Sequence, residues 1–351
     1  YRSDRGYLPD FTGTERFSGP IVHPQFWPDD LDYAGKRVVV IGSGATAVTL
    51  VPSLAGTASH VTMLQRSPTY VASVPATNPL VSVLHRVLPD RTAASVVRWV
   101  HALGTQAGYQ VSQRHPKAVK RLLRFALQRQ LPPGYDIDTH FTPRYNPWDE
   151  RMCVVPDGDL FKAITAGTAS VVTDHVDTFT ETGIRLRSGA ELDADIIVAA
   201  TGLELQFVGG IELTVDGEPV ELANRLTYKG MMLEGVPNLA LAIGYTNASW
   251  TLKCDLTCRY VCRLLNHLRD TDRRQCTPVN HDTSVVAEPL LGLQSGYIQR
   301  AADRLPSQGS KFPWRVYQSF LQDYRATKMA NVDDGVMEFS NPRLERVAEA
   351  G

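Results

Sequence analysis

Lys36-Arg37-Val38-Val39-Val40-Ile41-Gly42-Ser43-Gly44-Ala45-Thr46-Ala47 is the stretch that decides the fold. Four consecutive aliphatic residues, Val38 to Ile41, are bounded by charge on one side and glycine on the other. They read as a strand buried on both faces, as in a parallel sheet. Gly42 permits a tight turn, Gly44 lets the backbone come close to a ligand, and Ala47 lets the next helix pack against the strand. That helix is expected over Thr46 to Leu54, and a second strand over Val61 to Gln65. The helix N-terminus then offers free N–H groups and the positive end of a dipole to a pyrophosphate. Gly42, Ser43, Gly44, Ala45, Thr46 and Ala47 are therefore expected to hold a dinucleotide. The plainer alternative is a doubly wound sheet whose glycine turn binds nothing.

The end of the second strand selects the cofactor. NAD sites usually carry Asp or Glu there, to accept from the ribose 2′-hydroxyl. Here the residues are Gln65, Arg66 and Ser67, with Thr69 beyond. Arg66 would pair with a 2′-phosphate through charge-assisted hydrogen bonds that an acid would oppose. NADP(H) is the expected cofactor, with Arg66 and Ser67 reading its phosphate.

Outward from this unit, the pattern turns helical from about Leu80 to Leu131. Strands are expected at Ser170 to Asp174, Ile184 to Arg187, Asp195 to Gly202 and Leu239 to Ile243, and a helix over Thr251 to Leu268. Residues 1–35 and 135–156 are dense in Pro, Gly, Asp and aromatics and read as loops. Lys117 to Arg129 is basic on one side with Leu122, Leu123, Phe125 and Leu127 among the charges. It suits a solvated face over a packed one, and secondarily a membrane surface. Cys254, Cys258 and Cys262 recur every four residues. They are read first as thiols packing a core face and second as metal ligands, though Cys-x-x-Cys spacing is absent and no metal is expected. Lys229 is expected to be exposed, although a place near a pocket is plausible.

The 351 residues carry 36 basic and 37 acidic side chains, so no global pull on nucleic acid is expected. No apolar run reaches the length of a spanning helix, and the start has no basic-then-apolar signal segment. An odd, low count of five cysteines suits a reducing compartment. The expected location is cytoplasmic, with peripheral contact to a membrane as the variant.

Phe17-Ser18-Gly19-Pro20-Ile21-Val22-His23-Pro24-Gln25-Phe26-Trp27-Pro28 stands just before the glycine motif. Phe17, Gly19, His23 and Trp27 lie at the offsets of F-x-G-x-x-x-H-x-x-x-W-P, which resembles the signature of Baeyer–Villiger monooxygenases. Val61 to Tyr70, Tyr145 to Arg151, Val198 to Leu203 and Gly244 to Lys253 resemble a mycobacterial branch of that family, so the likeness covers nearly the whole chain.

The resemblance implies an α/β fold. A doubly wound Rossmann-like NADPH domain over residues 36–200 would carry a helical insert at about 80–150. Residues 1–35 would be a signature linker, and 201–351 the C-terminal part of a second, FAD-binding Rossmann-like domain with a tail. Because only one Gly-x-Gly-x-x-Gly/Ala unit occurs, the chain is expected to be a family member without its N-terminal FAD-binding segment. FAD and NADP(H) are the implied cofactors, and O2 and a small ketone or sulfide the implied substrates. The implied chemistry passes through a flavin peroxide to an ester, a lactone or an oxygenated sulfur. Arg151 is similar to the family's active-site arginine. Thr201 and Gly202 would contact cofactor, Asn247, Ser249 and Trp250 would contact flavin or line the substrate pocket, and His23 would couple domains rather than transfer protons. Two other readings remain: an NADP-dependent flavoprotein reductase, against which the absence of Cys-x-x-Cys argues, and an inactive NADP-binding fragment.

Overall fold

A five-stranded parallel sheet in the order β1-β10-β2-β3-β6 forms the centre of the structure, a computed structural model that describes residues 1–150, 152–292 and 295–342. Its strands are β1 (Ile21–Val22), β2 (Arg37–Ile41), β3 (His60–Gln65), β6 (Ala169–Thr173) and β10 (Ile196–Ala199). Between them come β4 (Val71–Val74), β5 (Cys153–Pro156), and an antiparallel trio β7 (Val176–Thr180), β8 (Gly183–Leu186) and β9 (Glu191–Asp193). The helices are α1 (Ala45–Ala55), α2 (Pro79–Val87), α3 (Asp90–Arg114), α4 (Pro116–Gln128), α5 (Ile137–Phe141) and α6 (Asp159–Thr165).

The period-two alternation of β2 explains both layers. Val38 and Val40 face a core shared with Val48, Val51 and Leu54 of α1 and Phe161 of α6. Val39 and Ile41 face the other way, onto Leu64, Phe179, Ile184 and Phe17. The expected α/β class is borne out, with one refinement: an antiparallel sheet rather than helices closes the second face.

Several local expectations change. The opening segment, read as loop, contributes β1, an edge strand pairing Ile21 with Ile197. Flanking Pro20 and Pro24 hid two residues of β-branched strand. The 135–156 loop contains α5, where Asp136 accepts from the Thr139 N–H at 3.0 Å and Ile137 and Phe141 are buried. It also contains β5, which pairs in parallel with β4.

The chain divides into two compact units, the first comprising residues 1–97, 109–209 and 293–300, the second 98–108, 210–292 and 301–351. The second is organised on α7 (Trp250–Asp270). Leu252, Leu256, Tyr260, Leu264 and Leu268 form its buried line. The cysteines lie two residues further along, a rotation of about 200° at 3.6 residues per turn. Cys258 and Cys262 are accordingly exposed and Cys254 only half-buried, which overturns the expectation of packed thiols. Among the described residues no group of His, Cys, Asp and Glu is placed to hold a metal ion.

Leu239–Ile243 is not a strand; Leu241 donates its N–H to the Met231 carbonyl at 2.7 Å, and no ladder forms. Lys229 is also not exposed. It stands at 4% exposure, 3.1 Å from Asp334 and 3.2 Å from the Tyr260 hydroxyl. Among the described residues no helix is long and apolar enough to cross a membrane.

Candidate functional site

Gly42 follows β2 directly, with φ at 136°, a conformation that disfavours side chains. Its N–H donates to the Leu64 carbonyl at 2.8 Å, and a Cβ there would stand 2.3 Å from the Ala200 carbonyl oxygen. The turn is thus wedged between β3 and β10. Gly44 caps α1 and differs in kind: a Cβ built on it would meet nothing within 4 Å. Its side opens onto free space, as a backbone that must receive a ligand requires. Ala45 and Thr46 are exposed, whereas Ala47 is fully buried against the sheet. The first turn of α1 holds no acid, so the dipole's positive end is uncancelled there.

Ser43 is tied to the neighbouring loop. Its hydroxyl donates to the Ser67 carbonyl at 3.3 Å and lies 2.9 Å from the Thr69 hydroxyl. Gln65 at the end of β3 is spent on structure, donating to the His140 carbonyl at 2.7 Å and to Thr173 Oγ1 at 2.8 Å. Arg66 is the next residue. It is exposed and, among the described residues, holds no ion pair. This exposed cation therefore stands one strand over from the open helix end. These residues fit a dinucleotide with a 2′-phosphate. Among the described residues, no second strand–glycine–helix junction offers a comparable cradle to a flavin pyrophosphate.

Parts distant in sequence converge on the same sheet end. Thr201 and Gly202 follow β10 beside Gly42. Thr201 Oγ1 donates to the Tyr7 carbonyl at 2.6 Å, and Gly202, at φ 107°, has its carbonyl 3.1 Å from His23 Nε2. The Arg300 guanidinium lies 3.4 Å from the centroid of the Tyr7 ring. Phe17 is buried in the core, a Cβ on Gly19 would stand 2.3 Å from the Asp195 carbonyl oxygen, and Trp27 packs edge-on against Tyr33. Three of the four signature residues therefore seat their segment on the sheet, while His23 reaches the Gly202 turn.

Asn247 and Trp250 belong to the second unit. Asn247 is buried and donates to the Gln318 carbonyl at 3.0 Å. Trp250 opens α7 with half its surface exposed. Ser249, its N-cap, is exposed and pairs with Thr251. Arg151 lies outside the described residues.

Sequence reasoning matched Tyr145 to Arg151 to the family but gave no role to Tyr70, Tyr145 or Cys153. The Tyr70 hydroxyl donates to the Tyr145 carbonyl at 2.9 Å, and the Cys153 N–H to the Tyr70 carbonyl at 2.8 Å. Burial, with Asp149 nearby, pushes the Tyr70 phenol up to about 12. Its sequence signal was a loop too rich in aromatics to be a mere connection.

A profile described as "Flavin-binding monooxygenase-like" matches residues 5–269. The "FAD-containing monooxygenase EthA" of Mycolicibacterium smegmatis is 51% identical over 344 residues, covering 98% of this chain and 70% of that protein. The "Probable FAD-binding monooxygenase AlmA" of Acinetobacter baylyi is 50% identical, covering 97% and 68%. Among solved structures, an oxidized steroid monooxygenase bound to NADP superposes with a TM-score of 0.70 at 17% identity, covering 97% of this chain and 73% of that one.

Proposed function

The chain belongs to the flavin-binding monooxygenase-like family, and on that premise we propose that it is an NADPH- and FAD-dependent monooxygenase of the Baeyer–Villiger type. It places one oxygen atom of O2 into a ketone, giving an ester or lactone, or onto sulfur. One arrangement carries the cofactor reading: the open side of Gly44 at the α1 N-terminus, with Arg66, exposed and without an ion pair among the described residues, at the adjacent strand end. The backbone N–H groups of Gly44, Ala45 and Thr46 bind the pyrophosphate, Arg66 and Ser67 the 2′-phosphate, and Ser43 holds the two loops in register. When bound, the nicotinamide supplies hydride and the flavin the oxygen chemistry. His23 fixes the Gly202 turn, and Thr201 and Gly202 would contact the cofactor. Asn247 and Trp250 serve the flavin or substrate, Ser249 the substrate, and Arg151 supplies fixed positive charge for the reacting oxygen. The residue 36–200 segment is the NADPH domain in this reading.

Two measurements test it. With FAD added, the protein should consume NADPH faster when a ketone or thioether is present, and the product should gain one oxygen; NADPH oxidation that no such substrate stimulates rules the activity out. Arg66→Ala should weaken NADP⁺ by about 10- to 100-fold, the worth of a charge-assisted pair, and leave NAD⁺ within about twofold. Equal losses would show that Arg66 does not read the phosphate. Exposed Leu122 and Phe125 among Lys117, Lys120 and Arg121 on α4 further support peripheral contact with an anionic membrane. Failure to sediment with phosphatidylserine vesicles at low salt would remove that part.

A further inference from the structure

We propose that Glu150 is a specificity-determining residue of the NADP(H) site: it faces the subsite of Arg66, restrains affinity for the 2′-phosphate and gives the enzyme a usable affinity for NAD(H). The inference rests on the dinucleotide reading above.

The geometry begins with β4 and β5. Their parallel register sets Val71 opposite Cys153, so the residues preceding each strand run side by side. The 146–150 turn is clamped at both ends to Tyr70, through the Tyr145 carbonyl at 2.9 Å and the Cys153 N–H at 2.8 Å. It therefore lies along the 66–70 segment, which Ser43 ties to the glycine loop. Within the turn, the Asp149 carboxylate is committed to the Asn146 N–H at 2.9 Å. A bridge between Pro147 and Glu150 fixes the Glu150 backbone.

The Glu150 side chain is half-buried and, among the described residues, has no hydrogen bond or ion pair. The turn that carries it lies along the segment that begins at Arg66. Burial holds the Glu150 carboxyl above its ordinary range, an effect that the Arg66 guanidinium only partly offsets and Asp149 adds to. Among the described residues, neither this carboxylate nor the Arg66 guanidinium has a hydrogen bond or ion pair, and the two do not close on each other.

The two ligands respond oppositely. A 2′-phosphate brings about 1.5 to 2 negative charges at neutral pH, which Arg66 attracts and Glu150 repels. A free 2′-hydroxyl donates to a carboxylate, the acceptor that NAD sites usually carry at the end of the second strand. Gln65 occupies that place here and is spent on His140 and Thr173. Glu150 supplies the missing acid from the neighbouring loop.

The test is equilibrium titration of the full chain with NADP⁺ and with NAD⁺ for the wild type, Glu150→Gln, Glu150→Ala and Arg66→Ala. Glu150→Gln is isosteric, and Glu150→Ala checks that the effect follows the charge. Both should tighten NADP⁺ by about three- to tenfold, as expected for one partly solvated charge, and weaken NAD⁺ by about two- to threefold. An unchanged NADP⁺ to NAD⁺ ratio in both Glu150 variants, with Arg66→Ala still selectively losing NADP⁺, overturns this inference and leaves the dinucleotide site standing. A wild type that binds neither dinucleotide overturns both.

Discussion

Lys229 and Lys253 stand at 4% and 2% exposure, each within 3.1 Å of an aspartate, whereas Arg66 is exposed at the end of β3 with no ion pair among the described residues. The second unit buries these two lysines and spends them on its own core. Lys253 meets Asp323 at 3.0 Å beside the Tyr245 ring, and Lys229 meets Asp334 within a cluster of Tyr228 and Tyr260. Taking such charges out of water costs several kcal/mol each, so they are tolerable only while paired. A cation kept in water costs little to hold ready, and its charge remains available to a ligand. Burial and pairing, rather than residue type, separate structural from binding charge in this chain.

The sharpest way to break that contrast is Asp323→Ala. It leaves Lys253 buried and alone, and should lower stability by about 3–5 kcal/mol, read as a shift of the urea midpoint. A loss below about 1 kcal/mol would mean that water reaches the pair and that Lys253 is not committed to the core.

Gly42→Ala should come next, at about 2–4 kcal/mol. The new methyl would press on the Ala200 carbonyl in a backbone conformation that alanine disfavours. Gly44→Ala is the matched control two residues away. Its backbone is extended and its Cβ would meet no protein atom within 4 Å. The melting temperature should hold within about 2 °C, while NADP⁺ affinity falls about tenfold or more because the methyl occupies the pyrophosphate's approach. A Gly44→Ala protein that binds NADP⁺ as well as the wild type would leave the open helix end without a ligand.

These pairs also show what the sequence could and could not reveal. Gly42, Gly44 and Ala47 were legible because strand, turn and helix are consecutive, and each demand falls on a residue a few positions away. The buried line of α7 was legible in the same way, through its four-residue repeat. The cysteines failed because the same repeat runs along the opposite side of that helix, and spacing alone does not say which side is inside. Lys229 failed because its partner, Asp334, lies 105 positions on in the chain. Leu239–Ile243 has strand composition, but composition supplies no neighbour to pair with. Glu150 was passed over for a similar reason: its meaning depends on the register of β4 with β5, which lays the 146–150 turn along the 66–70 segment.

The smallest effect belongs to Arg37 and Asp195, which join the starts of β2 and β10 at 2.9 Å. The Arg37 guanidinium, then its backbone N–H, hold the Asp195 carboxyl below the usual carboxylate range against a small opposing effect of burial. An acid whose folded pKa lies below its unfolded value adds stability above the unfolded pKa, near pH 4, and loses it as pH falls through the folded pKa. Both side chains are more than a third exposed, so water screens the pair and its worth at neutral pH should be only about 0.5 kcal/mol. Asp195→Asn should therefore differ from the wild type by that amount at pH 7 and converge with it as the pH falls through the folded-state pKa of Asp195. This pair sits between the two extremes of the comparison, charged and paired yet wet. If its loss at pH 7 equalled that of Asp323→Ala, burial could not be what makes the second unit's pairs indispensable.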